Sequence, residues 1–181
     1  MADKSTIYKA RLHLSDVDRD CYQQFDLTLA CHPSETRQRL VARLLAYALC
    51  YEEELAFTKG ICEGETPDIW LQRPGEKMSR WIEVGQPSPE RLETACKRAG
   101  EVTLFLYGKR RERWLQANLD RLTVLTNLTI IPLSDELLDS LSGNLKRSLE
   151  WSVTVTDGML YLDSDGANHQ EQLTPCILSN G

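Results

Sequence analysis

The sequence lacks several features that mark common protein classes. No stretch of its 181 residues approaches the ~20 consecutive apolar residues of a membrane span, and the Met1-Ala2-Asp3-Lys4 start has no apolar signal region. Six cysteines are present, but none forms a CxxC pair or has a second cysteine at the spacing of a zinc site. We therefore expect a cytoplasmic protein with free, reduced and mostly structural thiols.

A net positive charge is also missing. The formal net charge of −6 argues against a protein that coats nucleic acid in general. It does not exclude a nuclease, because the carboxylates of a nuclease carry negative charge until a metal binds. One segment departs from this balance, with six basic and two acidic residues between positions 97 and 113. Its basic residues, which form either a solvated helix face or a phosphate-binding patch, are Lys97, Arg98, Lys109, Arg110, Arg111 and Arg113.

Histidine is scarce as well. His13, His32 and His169 are the only three, and no nucleophile-elbow motif accompanies them, which gives little support to a thiol or serine hydrolase. The apolar fraction of 41% and the charged fraction of 27% are ordinary for a soluble globular protein. With no internal repeat, low-complexity tract or linker, the chain is predicted to form a single compact domain over residues 1–181, with a partly mobile polar tail at 163–181.

Helical and strand periods alternate along the chain and predict an α+β fold. Two strands, 5–14 and 22–30, form an N-terminal β-hairpin, and a helix capped by Ser34 follows as far as about Tyr51. Ser88-Pro89-Glu90 is a helix start, and Asp157-Gly158 is a hairpin turn. Further helices are predicted at 109–119 and 134–141, and strands at 102–107, 122–132, 151–155 and 160–162. The expected architecture is a mixed β-sheet flanked by helices.

The most informative segment contains two acidic residues that a hairpin would bring together. If Gly75-Glu76 is a two-residue type II′ turn, Trp70 faces Trp81 and Asp68 faces Glu83. Directly opposed strand residues have Cβ atoms roughly 4.5–5.5 Å apart, so the two carboxylates would repel each other. A hard divalent cation such as Mg²⁺ would offset this repulsion. The alternative is a pair of solvated carboxylates at strand ends.

Glu35 is a further acidic candidate. It lies near the start of the first predicted helix, away from that helix's apolar stripe. Its simpler role is a favourable interaction with the positive end of the helix dipole. The other possibility is a third carboxylate close to the metal.

Several segments of the chain resemble the bacterial YaeQ family. The most specific are Pro67-Asp68-Ile69-Trp70 and 81–87 (WIEVGQP), and the others are 2–11, 27–35 (LTLACHPSE), 57–60, 95–99 and 107–108. The resemblance spans most of the chain to about residue 132. More broadly, the arrangement is similar to that of the PD-(D/E)XK nuclease superfamily. The resemblance implies a compact fold built on a restriction-endonuclease-like PD-(D/E)XK core.

The superfamily assigns roles to matching positions. Asp68 and Glu83 would be metal ligands and catalytic residues, the Val84 carbonyl would complete the coordination, and Glu35 resembles an acidic residue that some members carry. The motif lysine should fall at position 85, where this chain has Gly85. Gln86 is adjacent but should point to the other strand face, and Lys97 could reach the site only from the flank of its helix. These two residues are the catalytic candidates in place of the lysine.

Two functions follow as expectations. The first is a Mg²⁺- or Mn²⁺-dependent nuclease that acts on DNA or RNA, with the basic segment at 97–113 binding the phosphate backbone. The second is a non-catalytic module of the same fold that binds a protein or nucleic-acid partner. Neither requires a membrane or a small-molecule cofactor.

Overall fold

A computed structural model describes residues 5–58 and 66–178. Several positions used in the sequence analysis lie outside these residues. They are Lys59 and Gly60 of the segment 57–60, Cys62 among the six cysteines, residues 2–4, and the last three positions of the predicted tail. The described residues form four helices and ten strands, in the order β1 (Thr6–Asp16), β2 (Cys21–Cys31), α1 (Arg37–Leu49), β3 (Ala56–Phe57), β4 (Ile69–Leu71), β5 (Met78–Val84), α2 (Pro89–Arg98), β6 (Ala99–Leu106), α3 (Arg111–Leu122), β7 (Leu128–Pro132), α4 (Asp135–Gly143), β8 (Ser148–Thr156), β9 (Met159–Ser164) and β10 (Ala167–Gln172).

The strands belong to two mixed sheets rather than to the one sheet that we predicted. Their strand orders are β10-β9-β8-β1-β2 and β3-β4-β5-β6-β7. The chain divides into two compact units, residues 1–49 with 136–173 and residues 50–135 with 174–181. The prediction of a single domain over 1–181 stays a prediction.

The first unit contains the predicted N-terminal hairpin. Strands β1 and β2 pair antiparallel, and β1 also pairs in parallel with β8, so this sheet is mixed. The Asp157-Gly158 turn between β8 and β9 is confirmed, and both residues have a positive φ, as a type I′ turn requires. Helix α1 begins at Arg37 rather than at Ser34, because Thr36 provides the cap: its hydroxyl accepts from the Arg39 amide at 3.2 Å.

The second unit is built on three parallel strands. Strands β5, β6 and β7 pair in parallel, whereas β4 and β3 add to the edge antiparallel. Helix α2 connects β5 to β6, and α3 connects β6 to β7, as parallel pairing requires. The predicted Ser88 cap of α2 is confirmed, since its hydroxyl accepts from the Arg91 amide. The carboxyl ends of β5, β6 and β7 consequently lie on the same side of this sheet, which is called its C-terminal edge below.

The core of the second unit fixes which strand residues face helices α2 and α3. Trp81 on β5 packs in one cluster with Leu92 and Ala95 of α2 and with Leu104 of β6. Because side chains alternate along a strand, Glu83 points to the same face as Trp81. The sheet therefore directs Glu83 towards the first turn of α2.

Two predictions about the ends of the fold need correction. Residues 163–178 include the end of β9, all of β10 and a bridge from Ile177 to Ile130, so most of the predicted tail has a defined place. The strand expected at 122–132 begins only at Leu128, because α3 continues to Leu122. The five described cysteines are free, as predicted. None of the described helices is long and apolar enough to cross a membrane.

Candidate metal centre

The hairpin register confirms the predicted pairing of Trp70 with Trp81, and it brings the two acidic residues near each other. Ile69 pairs with Ile82 and Trp70 with Trp81. Asp68 directly precedes β4, and its amide donates to the Ile82 carbonyl at 3.1 Å, so Asp68 lies next to Ile82 and Glu83 of β5. Both residues are buried, with 3% and 4% of their surface exposed. The two carboxylates are therefore poorly solvated and close enough for the charge of Asp68 to act on Glu83.

The turn that sets this register differs from the prediction. The Glu76 amide donates to the Arg73 carbonyl at 3.2 Å, which makes Pro74 and Gly75 the central residues. Gly75 has a φ of +79°, as the third residue of a type II turn requires, and proline is favoured just before it. The predicted Gly75-Glu76 II′ turn is therefore wrong, whereas the predicted pairing of Trp70 with Trp81 is confirmed.

The two carboxylates are held in place by a main-chain amide, an indole and a guanidinium group. Asp68 Oδ2 accepts from the Val84 amide at 2.9 Å. Glu83 Oε2 accepts from Trp81 Nε1 at 2.7 Å, and Glu83 Oε1 accepts from Arg91 Nε at 2.5 Å. These bonds tie the two carboxylates to β5 and to the first turn of α2.

Burial raises the pKa of Glu83, and the nearby charge of Asp68 raises it further. The Arg91 guanidinium and the Trp81 indole act in the opposite direction, since both donate to the carboxylate. The raised pKa means that the charged pair is costly in the folded protein. A bound divalent cation would reduce this cost.

Arg91 is a site residue that the sequence reasoning missed. Its Nη2 donates to the Thr66 carbonyl at 2.7 Å, and its Cζ lies 5.6 Å from the centre of the Trp81 ring. The helical periodicity of α2 could have indicated that Arg91 is near the sheet. Arg91 is adjacent to Leu92 and four residues before Ala95, at the margin of the buried face of the helix. Because α2 begins just after β5, its first turn brings Arg91 to Glu83 near the end of that strand.

The positions that follow Val84 have left the regular strand. Gly85 has a φ of +101°, and its amide donates to the Phe105 carbonyl at 2.9 Å. Gln86 Nε2 donates to the Tyr107 carbonyl, also at 2.9 Å, and a Cβ added to Gly108 would lie 2.9 Å from this nitrogen. The side chain of Gln86 thus holds the end of β5 to the segment that follows β6.

Glu35, the expected third carboxylate, belongs to the first unit. Its carboxylate accepts from Arg43 Nη1 at 2.9 and 3.2 Å, and both side chains are buried. It also precedes α1 instead of lying in its first turn, so the dipole role is weaker than expected. Within residues 5–58 and 66–178, no three His, Cys, Asp or Glu side chains form a group that could hold a metal.

The six basic residues separate into two places. Lys97 and Arg98 are exposed at the end of α2, and Lys97 lines a groove with Glu93 and Asp120. Lys97 is about 9 Å along the helix axis from Arg91, which does not favour its predicted role beside Glu83.

The other basic residues follow β6, at the C-terminal edge, where β5 also ends. Lys109, Arg110 and Arg113 are exposed. Arg111 is half-buried and donates to the Leu133 carbonyl at 3.3 Å. Gly108, just before them, donates its amide to Asp135 at 3.1 Å. This segment therefore lies near the Gln86–Tyr107 bond and on the same C-terminal edge as Glu83.

The repulsion between the carboxylates leads to a stability prediction. Asp68→Asn keeps an oxygen that can accept from the Val84 amide but removes the charge beside Glu83. We expect the free energy of unfolding at neutral pH to rise by about 1 kcal/mol, the scale of a one-unit change in a buried group's pKa. Urea denaturation in the absence of divalent ions measures the change. A loss of stability would show that Asp68 is a structural residue whose charge stabilises the fold.

The fold and this site define a mixed α+β protein with a buried carboxylate pair at the end of a strand. The family model described as "YaeQ protein" matches residues 1–173, and the chain belongs to this family. It is 39% identical over 175 residues to a protein of Escherichia coli (strain K12) named "Uncharacterized protein YaeQ", covering 96% of this chain and 97% of that protein. A protein of the same name from Salmonella typhi is 37% identical over 175 residues, with the same coverage.

Solved structures agree with this assignment. The crystal structure of YaeQ protein from Pseudomonas syringae matches with a TM-score of 0.91 and 34% identity, covering 98% of each chain. The YaeQ structure from Xanthomonas axonopodis pv. citri gives a TM-score of 0.90 and 32% identity, covering 98% of this chain and 99% of the other. The architecture described above is therefore similar to that of these two relatives.

Proposed function

We propose that this protein is a Mg²⁺-dependent phosphodiesterase that acts on nucleic acid through a variant PD-(D/E)XK site. The observation that carries the proposal is the buried Asp68–Glu83 pair. A protein that needed only stability would not keep two like charges near each other with so little solvent. Both carboxylates lie at the strand end where the superfamily resemblance expects its acidic ligands.

The donor set suits a hard cation. Asp68 and Glu83 offer carboxylate oxygens, and the main chain at Val84 could add a carbonyl. Mg²⁺ commonly uses one or two carboxylates and keeps several waters, so no third acidic side chain is needed. Glu35 is not required for this arrangement. Mn²⁺ accepts the same oxygen ligands.

A bound Mg²⁺ would supply Lewis-acid activation of the phosphate and a lowered pKa for the attacking water. The residues of the chain have the remaining tasks. Asp68 and Glu83 fix the place of the reaction, and Trp81 and the Val84 amide orient the two carboxylates. Lys109 and Arg110, on the same C-terminal edge, are placed to bind the phosphate backbone. Gln86 contributes by holding the two strand ends together.

A cleavage assay tests this function. Labelled single-stranded and double-stranded DNA and RNA are incubated with the protein in Mg²⁺, in Mn²⁺ and in EDTA. We expect metal-dependent cleavage of at least one substrate and a loss of at least about 100-fold in Asp68→Asn, because the ligand and its charge are removed together. Asp120→Asn, an exposed residue on α3, is the matched control. Cleavage that is equal in Asp68→Asn and wild type would remove this site from the mechanism.

A non-catalytic module is the second candidate. Gly85 stands where the motif lysine is expected, and Arg91 already neutralises Glu83 through an ion pair at 2.5 Å. A site closed in this way could be retained for binding alone. The same assay separates the candidates: a binding module retains nucleic acid in a filter or mobility-shift experiment, cleaves none of it in any metal, and keeps its affinity in Asp68→Asn.

A further inference from the structure

Both oxygens of Glu83 accept hydrogen bonds from side chains of the protein itself. Trp81 Nε1 donates to Oε2 at 2.7 Å, and Arg91 Nε donates to Oε1 at 2.5 Å. The guanidinium therefore lies against the carboxylate where a divalent ion would also have to lie. Two cations this close repel each other, and the low dielectric of a buried site strengthens that repulsion.

Only one of the two donors can readily leave. Trp81 is 2% exposed and is part of the core cluster between the sheet and helix α2. The Arg91 side chain is 26% exposed, against 6% for Glu83, and its long stem can adopt other rotamers. Displacing Arg91 exposes a charge to water, whereas displacing Trp81 would open the core.

We propose that Arg91 is the phosphate-binding cation of this site, stored on Glu83 until a divalent ion takes its place there. The inference rests on the proposed function and deepens it. Arg91 leaves Glu83 when the ion binds and then donates to a non-bridging oxygen of the phosphate. It supplies the positive charge that Gly85 cannot supply.

The geometry around Arg91 suits both positions. The Thr66 carbonyl, two residues before Asp68, accepts from Nη2 at 2.7 Å, so the guanidinium joins the segment that precedes β4 to the carboxylate of Glu83. The Trp81 ring offers a cation–π surface at 5.6 Å on which the group can pivot. A planar guanidinium is well matched to phosphate, to which it can donate two parallel hydrogen bonds.

The proposal makes an unusual prediction: removing a site residue should improve metal binding. In Arg91→Met, which keeps the apolar stem, we expect the dissociation constant for Mn²⁺ to fall roughly tenfold, within the usual range of coupling between two ligands. Arg91→Lys keeps a cation and should remain close to wild type. Calorimetry measures the dissociation constant for Mn²⁺ of wild type, Arg91→Met and Arg91→Lys, with urea unfolding as the check that each variant is folded.

Two further readouts separate this role from a structural one. In wild type, Mg²⁺ should change tryptophan emission as the guanidinium moves on the Trp81 ring, and this change should be much smaller in Arg91→Met. With Mn²⁺ saturating, a short phosphorothioate oligonucleotide should bind Arg91→Met at least about tenfold more weakly than wild type.

The outcomes of these measurements are distinct. If Mn²⁺ binds wild type and Arg91→Met equally, or the variant more weakly, the exchange of arginine for metal is wrong while the metal site stands. If the oligonucleotide binds all variants equally, Arg91 does not contact phosphate. If Mn²⁺ binds neither wild type nor Arg91→Met, the proposed metal-dependent function itself fails.

Discussion

The double variant Asp68→Asn/Glu83→Gln should lose Mn²⁺ binding almost completely. Removing a group that only supports a metal ligand typically costs 10–100-fold in affinity, so removing both acidic ligands should weaken binding by more than about 100-fold. Both substitutions keep the size of the side chain. The side-chain amide oxygens that they introduce could still accept from the Val84 amide and from the Trp81 indole. Calorimetry with wild type and variant measures the loss without any assumption about the substrate.

The control must remove the same charge from elsewhere. Glu112→Gln/Asp120→Asn also removes two negative charges, and both residues are exposed on α3. We expect this control to bind Mn²⁺ as wild type does, since exposed charges at a distance are screened by salt. If Asp68→Asn/Glu83→Gln binds Mn²⁺ as tightly as the control, the carboxylate pair is not a metal site.

Local patterns predicted the parts of the site that lie on one hairpin or one helix start. A turn between the two apolar runs predicted the pairing of Trp70 with Trp81, and the Ser88 cap located the start of α2. The predicted pairing of Trp70 with Trp81 is correct although the turn on which it was based is not. Short-range periodicity was sufficient for these features.

The features that were missed depend on contacts far apart in the chain. Two sheets arise because β1 pairs with β8, which begins more than 130 residues later, and strand patterns do not specify such partners. The two roles predicted for Glu35, at the helix dipole or near a metal, did not include its ion pair with Arg43, eight residues later in the chain. Arg91 was missed because only the packing of α2 on the sheet brings it to Glu83. Side-chain partners between elements could not be predicted from spacing within an element.

The basic residues offer the sharpest test of where nucleic acid binds. The segment at 97–113 contains two exposed pairs of adjacent basic residues, Lys97 with Arg98 at the end of α2 and Lys109 with Arg110 after β6. Only the second pair follows β6, and Gln86, which comes after Glu83 and β5, donates to the Tyr107 carbonyl just after the end of β6. We therefore expect Lys109→Gln/Arg110→Gln to weaken nucleic-acid binding and Lys97→Gln/Arg98→Gln to leave it close to wild type.

The dependence of binding on salt gives this comparison its quantitative form. Each phosphate contact contributes about 0.7 to the slope of log affinity against log salt for single strands and about 0.9 for double strands. Removing two contacts should make the slope shallower by about 1.5, and the matched pair on α2 should not change it. Fluorescence anisotropy of a labelled oligonucleotide at several salt concentrations measures both slopes. Because the two variants remove the same charge, equal slopes would mean that the protein's overall charge, and not the C-terminal edge beside Asp68 and Glu83, governs the interaction.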